Sequence, residues 1–112
     1  MLKQGDIVLI PIPFTDLTST KRRPVIVISN DAYNQATADI VVAMTSNPVA
    51  VAYSLTIDSA DLTEGHLNRP SKVRVDKIYT LSQSIVVKRF SQVKQTVLHQ
   101  IRSLLQDLVS EN

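Results

Sequence analysis

The stretch KRRPVIVIS, residues 21–29, decides the fold class. Val25, Ile26, Val27 and Ile28 form a short run of branched apolar residues, the pattern of a buried strand and not of a helix. Pro24 at its head has a fixed φ and no N–H, so the chain enters that strand extended. Lys21, Arg22 and Arg23 add nothing to such a core, and three consecutive cations at its mouth call for an anionic partner. Two further runs, Ile7 to Ile10 and Ile40 to Met44, are of the same kind. Pro11 and Pro13 are expected to stop the first of them. That leaves TDLTSTKRR, residues 15–23, as a loop too long for a simple hairpin and therefore a candidate for function.

Working outward, NDAYNQAT (residues 30–37) reads as one or two helical turns capped by Asn30 or Asp31. AYSLTID (52–58), SKVRVDKIYTLS (71–82) and SIVVKRF (84–90) read as three or four more strands. Alternation in the second of these puts Lys72, Arg74 and Asp76 on one face and Val73 and Val75 on the other. From Ser91 the period changes. Val93, Val97, Leu98, Ile101, Leu104, Leu105, Leu108 and Val109 make an apolar stripe at helical spacing, with Ser91 as the expected N-cap. The chain is thus mainly β with a C-terminal helix, expected to form a small, strongly curved barrel.

The whole composition limits what such a domain can do. At 112 residues it is one domain, residues 1–112, able to bury roughly two-thirds of the surface of its unfolded chain. With 44% hydrophobic and 20% charged residues it is an ordinary globular chain. It has no cysteine, which removes disulfides, thiolate metal sites and cysteine nucleophiles together. Its two glycines, Gly5 and Gly65, cannot write a P-loop or a dinucleotide fingerprint. No apolar run approaches the ~20 residues of a membrane span, and the expectation is a soluble, unexported, cytoplasmic protein with no cofactor and no membrane contact. The net charge of +2 is mild, but its distribution is uneven. Between Arg69 and Lys94 stand Arg69, Lys72, Arg74, Lys77, Lys88, Arg89 and Lys94, against Asp76 as the only acid. A solvated sheet edge explains such residues one at a time; the run as a whole favours an anionic ligand.

His66, in TEGHLNRP (63–70), has no second histidine near it, and His99 faces away from the helical stripe, so neither a metal site nor a Ser-His-Asp relay is indicated. What remains for chemistry is arginine, aspartate and hydroxyl groups. Arg22 and Arg23 before Pro24 can present a planar fork to a phosphate. Thr45 and Ser46, ending the third strand in MTSN (44–47), can donate to phosphate oxygens.

Taken together, GDIVLIPIPFTDLTSTKRRPVIVIS (5–29), VVAMTSN (41–47) and SKVRVDKIYTLS (71–82) resemble the MazF/PemK family of toxin endoribonucleases from toxin–antitoxin pairs. The likeness spans almost the whole chain, and its most specific parts are Gly5-Asp6, Arg22-Arg23-Pro24-Val25, Thr45-Ser46 and Arg74-Val75-Asp76. It implies an SH3-like barrel of the MazF/PemK/CcdB type that pairs into a homodimer. It further implies metal-free, sequence-specific cutting of single-stranded RNA to a 2′,3′-cyclic phosphate and a 5′-hydroxyl, and inhibition by a cognate antitoxin. The family's phosphate-directed arginine and threonine fall on Arg23 and Thr45, and its late-strand arginine and aspartate on Arg74 and Asp76. Lys21, Arg22, Ser46, Arg69 and Lys72 are then the RNA-binding groups. Some relatives carry a histidine in the first loop; residues 11–22 here have none, which leaves Thr15 and Asp16 as its replacements as proton acceptor.

Two other readings stand beside this one. A CcdB-like gyrase poison shares the architecture but uses a Trp-Gly-Ile tail, and this chain has no tryptophan. A barrel that binds RNA or an antitoxin without cutting would account for the missing loop histidine.

Overall fold

The computed structural model describes residues 1–13 and 20–111. Six strands lie among them: β1 (Asp6–Pro13), β2 (Thr20–Val27), β3 (Asp39–Ser46), β4 (Ser54–Ile57), β5 (Ser71–Ser82) and β6 (Lys88–Gln92). They form one antiparallel sheet in the order β4-β5-β3-β2-β1-β6, curled into a half-barrel. Helix α1 (Asp31–Ala36) joins β2 to β3, and helix α2 (Gln95–Leu108) follows β6. Asn30 caps α1 by accepting the Tyr33 N–H at 2.8 Å.

Period-two alternation gives this sheet two apolar faces. One carries Ile7, Ile26, Ala43, Val73 and Val75, and α2 lies across it through Val97, Leu98 and Ile101. The other gathers Val8, Ile10, Val25, Val27, Ile40 and Val42, with Leu2, Met44, Leu81 and Val86 at its margin. Burying each branched or leucine side chain contributes about 2 kcal/mol, so both faces stabilise the curl.

Three details depart from the sequence expectation. Pro11 and Pro13 do not stop β1, which runs to Pro13 opposite Thr20. Leu9, Pro11 and Pro13 all direct their backbone polar groups away from β2. The Leu9 carbonyl shows this by accepting the Val87 N–H at 2.8 Å. β6 pairs with β1 only from Asp6 to Leu9, so the two prolines face an open edge where no N–H is needed. Residues 20–23, expected in a loop, are strand for the same reason: β1 continues and pairs with them.

The second departure is at α2. Ser91 does not cap it but lies in β6, fully buried, donating its hydroxyl to the Glu64 carbonyl at 2.7 Å. The chain stays extended because Val93 N–H bonds to Gly5 and Lys94 N–H to Asp61. The helix therefore begins at Gln95, after Lys94, without a side-chain cap. Third, SKVRVDKIYTLS is one strand interrupted by a bulge. Ala43 pairs with Ile78 but Met44 with Arg74, so Val75, Asp76 and Lys77 stand off β3. The Val75 N–H turns instead to the Tyr53 carbonyl at 3.0 Å, and Tyr53 holds a left-handed φ of 53° to offer it.

Gly5 and Asp6 tie the sheet's other side together. Gly5 has φ +92°, and a Cβ there would meet Leu98 at 3.2 Å. The buried Asp6 carboxylate accepts the Lys3 N–H at 2.8 Å and the Arg89 Nε–H at 3.0 Å. Arg89 also pairs with Glu64 at 2.8 Å.

Candidate active site

The site begins where β2 and β3 stop pairing. Their ladder holds only Val25 to Met44, Ile26 to Ala43 and Val27 to Val42. Pro24 comes next on the side facing β3 and has no N–H to continue it. Its carbonyl also accepts the Thr45 hydroxyl at 2.6 Å. Thr45 is 5% exposed, so this bond closes the sheet beneath the gap.

A cavity of about 680 Å³ opens above it, within the size range of ligand sites. Arg22, Arg23 and Pro24 line it from β2, and Thr45, Ser46 and Asn47 from the end of β3. The segment Leu67, Asn68, Arg69, Pro70 and Ser71 forms a second wall, with Val49 and Arg74 completing the lining. That wall is anchored. Ser59 Oγ accepts the Leu67 N–H at 2.8 Å, and Ser71 Oγ donates to the Ser46 carbonyl at 3.4 Å. The charged side chains in the lining are all arginines, which makes the cavity a receptor for anions.

Arg74 is held by Asp76 in a two-point pair: Nε–H to Oδ1 and a terminal N–H to Oδ2, both at 2.8 Å. The bulge at Val75 to Lys77 permits this. It turns Asp76 off the β3 ladder, so that it can meet the side chain two residues before it. The hydrogen bonds to Arg74 hold the Asp76 carboxyl below its ordinary value, and those same bonds raise the guanidinium of Arg74. Asp76 is therefore ionised, weakly basic, and occupied on both oxygens. The geometry makes it the orienting group for Arg74.

Of the residues singled out from sequence, Arg22, Arg23, Thr45, Ser46, Arg69 and Arg74 come together in this cavity, with Asp76 behind Arg74. Lys72 does not reach it. Its ammonium donates to Thr56 Oγ1 on β4 at 2.9 Å, because cross-strand pairing sets those two residues opposite each other. Thr45 is nearly buried, where the sequence reading had its hydroxyl free to donate to phosphate. With its O–H directed at the Pro24 carbonyl, the Thr45 oxygen is left to act as an acceptor. Thr15, Asp16 and the side chain of Lys21 lie outside the described residues. Arg89, part of the basic run, belongs to the Asp6 network and is not at the cavity. His66 and His99 are exposed.

Sequence reasoning passed over Asn47, Asn68 and Leu67, whose place in the lining depends on the fold. The one available signal was the position of Asn68 inside LNRP, directly before the basic run. No group of three or more His, Asp or Glu among the described residues is arranged to hold a metal ion. Nor is any described helix long and apolar enough to cross a membrane.

A curled antiparallel half-barrel with an arginine-lined cavity where two central strands part defines a small β protein whose site suits an anion. The chain belongs to the family of PemK-like, MazF-like toxins of type II toxin–antitoxin systems, whose family model matches residues 3–109. It is 34% identical over 83 residues to endoribonuclease MazF2 of Mycobacterium bovis, covering 72% of each chain. In structure it is similar to a mycobacterial endoribonuclease solved with its cognate antitoxin, with TM-score 0.79, 16% identity and 100% of both chains covered. The MazE–MazF crystal structure from Deinococcus radiodurans gives TM-score 0.76 at 18% identity, covering 99% of this chain and 98% of that one.

Proposed function

We propose that this protein is a sequence-specific endoribonuclease toxin that cuts single-stranded RNA without a metal ion. The observation that carries the reading is the meeting of Arg23, Thr45 and Arg74 in one cavity, in a chain of this family. RNA supplies its own nucleophile. The 2′-hydroxyl gives its proton to water as its oxygen attacks the adjacent phosphorus, the bond to the 5′-oxygen breaks, and that oxygen takes a proton from water, so the products carry a 2′,3′-cyclic phosphate and a 5′-hydroxyl. Arg23 and Arg74 neutralise the charge that develops on the phosphorane oxygens. An arginine cannot be deprotonated at neutral pH, so both act electrostatically. Loss of one such donor typically costs ~3 kcal/mol of barrier, about a hundredfold in rate. The Thr45 oxygen, its O–H committed to the Pro24 carbonyl, accepts a hydrogen bond from the 2′-hydroxyl and aligns it. Arg22, Ser46 and Arg69 hold the flanking backbone. The charged side chains of the lining repel a divalent cation, in keeping with metal-independent cleavage.

The same reading extends to the partners. The related structures solved with an antitoxin support a cognate antitoxin for this chain, with an acidic segment that competes for the arginine cavity. It also includes a homodimer and a cytoplasmic site of action.

The test is an RNA carrying a single 2′-deoxy nucleotide just 5′ of the cut, incubated in excess chelator beside its all-ribo counterpart. The ribo form should be cut and the deoxy form spared at that bond. Continued cutting of the deoxy bond, or an absolute need for added magnesium, overturns the mechanism. Sedimentation showing only monomer at micromolar concentration overturns the dimer.

A further inference from the structure

The lining of the cavity is chemically mixed. Arg23, Thr45 and Arg74 take the phosphate in the proposed reaction. Asn47 at the end of β3, Leu67 and Asn68 of the second wall, and Val49 line it as well, and none of these four is charged, although Arg69 follows Asn68 in that wall. A phosphate needs donors only, whereas a carboxamide presents a donor and an acceptor in one plane, the complement of a nucleobase edge. Leu67 and Val49 supply apolar surface for a ring face, and Val49 is 50% exposed with nothing yet covering it. The wall is positioned in advance, since Ser59 holds Leu67 at both N–H and carbonyl. Asn47 lies two residues beyond Thr45, about 7 Å along an extended chain, so a phosphate at Thr45 leaves its own nucleoside to reach Asn47.

We propose that Asn47 and Asn68 read the base of a nucleotide flanking the scissile phosphate and so set the sequence specificity of this protein. The inference rests on the endoribonuclease reading and deepens it. The ligand class is an unpaired nucleobase, contacted at its edge by the two carboxamides and on its face by Leu67 and Val49.

The experiment measures binding of short RNAs by fluorescence anisotropy. Each RNA carries 2′-deoxyribose 5′ of the scissile phosphate to block cutting, and the four bases are permuted at each flanking position. The wild-type protein should prefer one base at one position by about tenfold or more. Asn47→Ala and Asn68→Ala should each reduce that ratio severalfold, and Asn68→Asp, which replaces a donor with an acceptor, should move the preference to a different base. Both asparagines are exposed, so the variants should melt with the wild type. A base preference that survives both alanine substitutions overturns the proposal, as does a wild-type protein with no preference. Cleavage of all-ribo RNAs in parallel separates the two ideas. Asparagine-dependent base preference without cutting upholds this inference and sinks the endoribonuclease reading. Cutting with an unaltered base preference in the variants sinks this inference alone.

Discussion

Thr45→Val replaces a hydroxyl with a methyl of the same shape and so removes one hydrogen bond without opening a cavity. The bond lost is the one from Thr45 Oγ1 to the Pro24 carbonyl, 2.6 Å long and beneath a side chain that is 5% exposed. Pro24 has no N–H to pair with β3, and the β2–β3 ladder ends one residue later at Val25 and Met44. The register still sets the Thr45 backbone N–H opposite that carbonyl, so the substitution removes one of its two donors. Losing one hydrogen bond of this kind costs about 0.5–1.5 kcal/mol. For a domain of this size each kcal/mol lowers Tm by roughly 4 °C, so the expected fall is about 2–6 °C. Thr45→Ser keeps the bond and should stay near the wild type. Differential scanning calorimetry of the three proteins decides the matter, and RNA cleavage at a temperature where all are folded reads the second role. Thr45→Val should cut far more slowly, Thr45→Ser nearly normally. A Tm for Thr45→Val within about 1 °C of the wild type would refute the view that this hydroxyl closes the sheet where the strands part.

The other expectations concern separate parts of the molecule. Asp76→Asn should slow cleavage by less than about tenfold, against about a hundredfold for Arg74→Ala, because the carboxylate orients the guanidinium and does not take the proton. Since Arg74 lowers the Asp76 pKa, the pair is complete above the ordinary aspartate value of 3.8 and is lost only as pH falls through a still lower value. The pH–rate profile should accordingly show no inflection from Asp76 between about pH 5 and 9. Tyr53→Gly should raise Tm by a few degrees: a left-handed non-glycine residue costs ~1–2 kcal/mol, and glycine's greater freedom when unfolded returns only part of that. A lower Tm would mean that the tyrosine ring packs usefully. Arg89→Met should cost about 2–4 kcal/mol in denaturant unfolding, because it strips the cation from the buried Asp6 carboxylate while leaving RNA cleavage chemistry untouched.

Much of the fold was legible because its signals are local. Val25 to Val27 and Ile40 to Met44 read as strands from their short length and branched residues, and the stripe from Val97 to Leu105 as a helix from its period, and all three form so. The errors were local rules overruled by neighbours. Pro11 and Pro13 break a paired strand but not an open edge, and whether β6 reaches them is decided some eighty residues later in the chain. Ser91 has cap chemistry, but two backbone bonds from Gly5 and Asp61 hold the chain extended past it.

The candidate site divides the same way. Sequence alone determined the residue types: arginines ahead of a proline, a threonine ending a strand, and an arginine and aspartate two apart on one strand face. Tertiary structure decided which of them meet. Arg23 and Arg74 lie fifty-one positions apart in the chain and share a cavity only because β3 sits between β2 and β5 and parts from β2 at Pro24. Lys72, two residues from Arg74, is excluded because β4 takes its ammonium, while Asn68 is admitted because Ser59 holds its loop against the gap. Periodicity is written in neighbouring residues, whereas the ending of a ladder and the partner of a cation depend on strands brought together from across the chain.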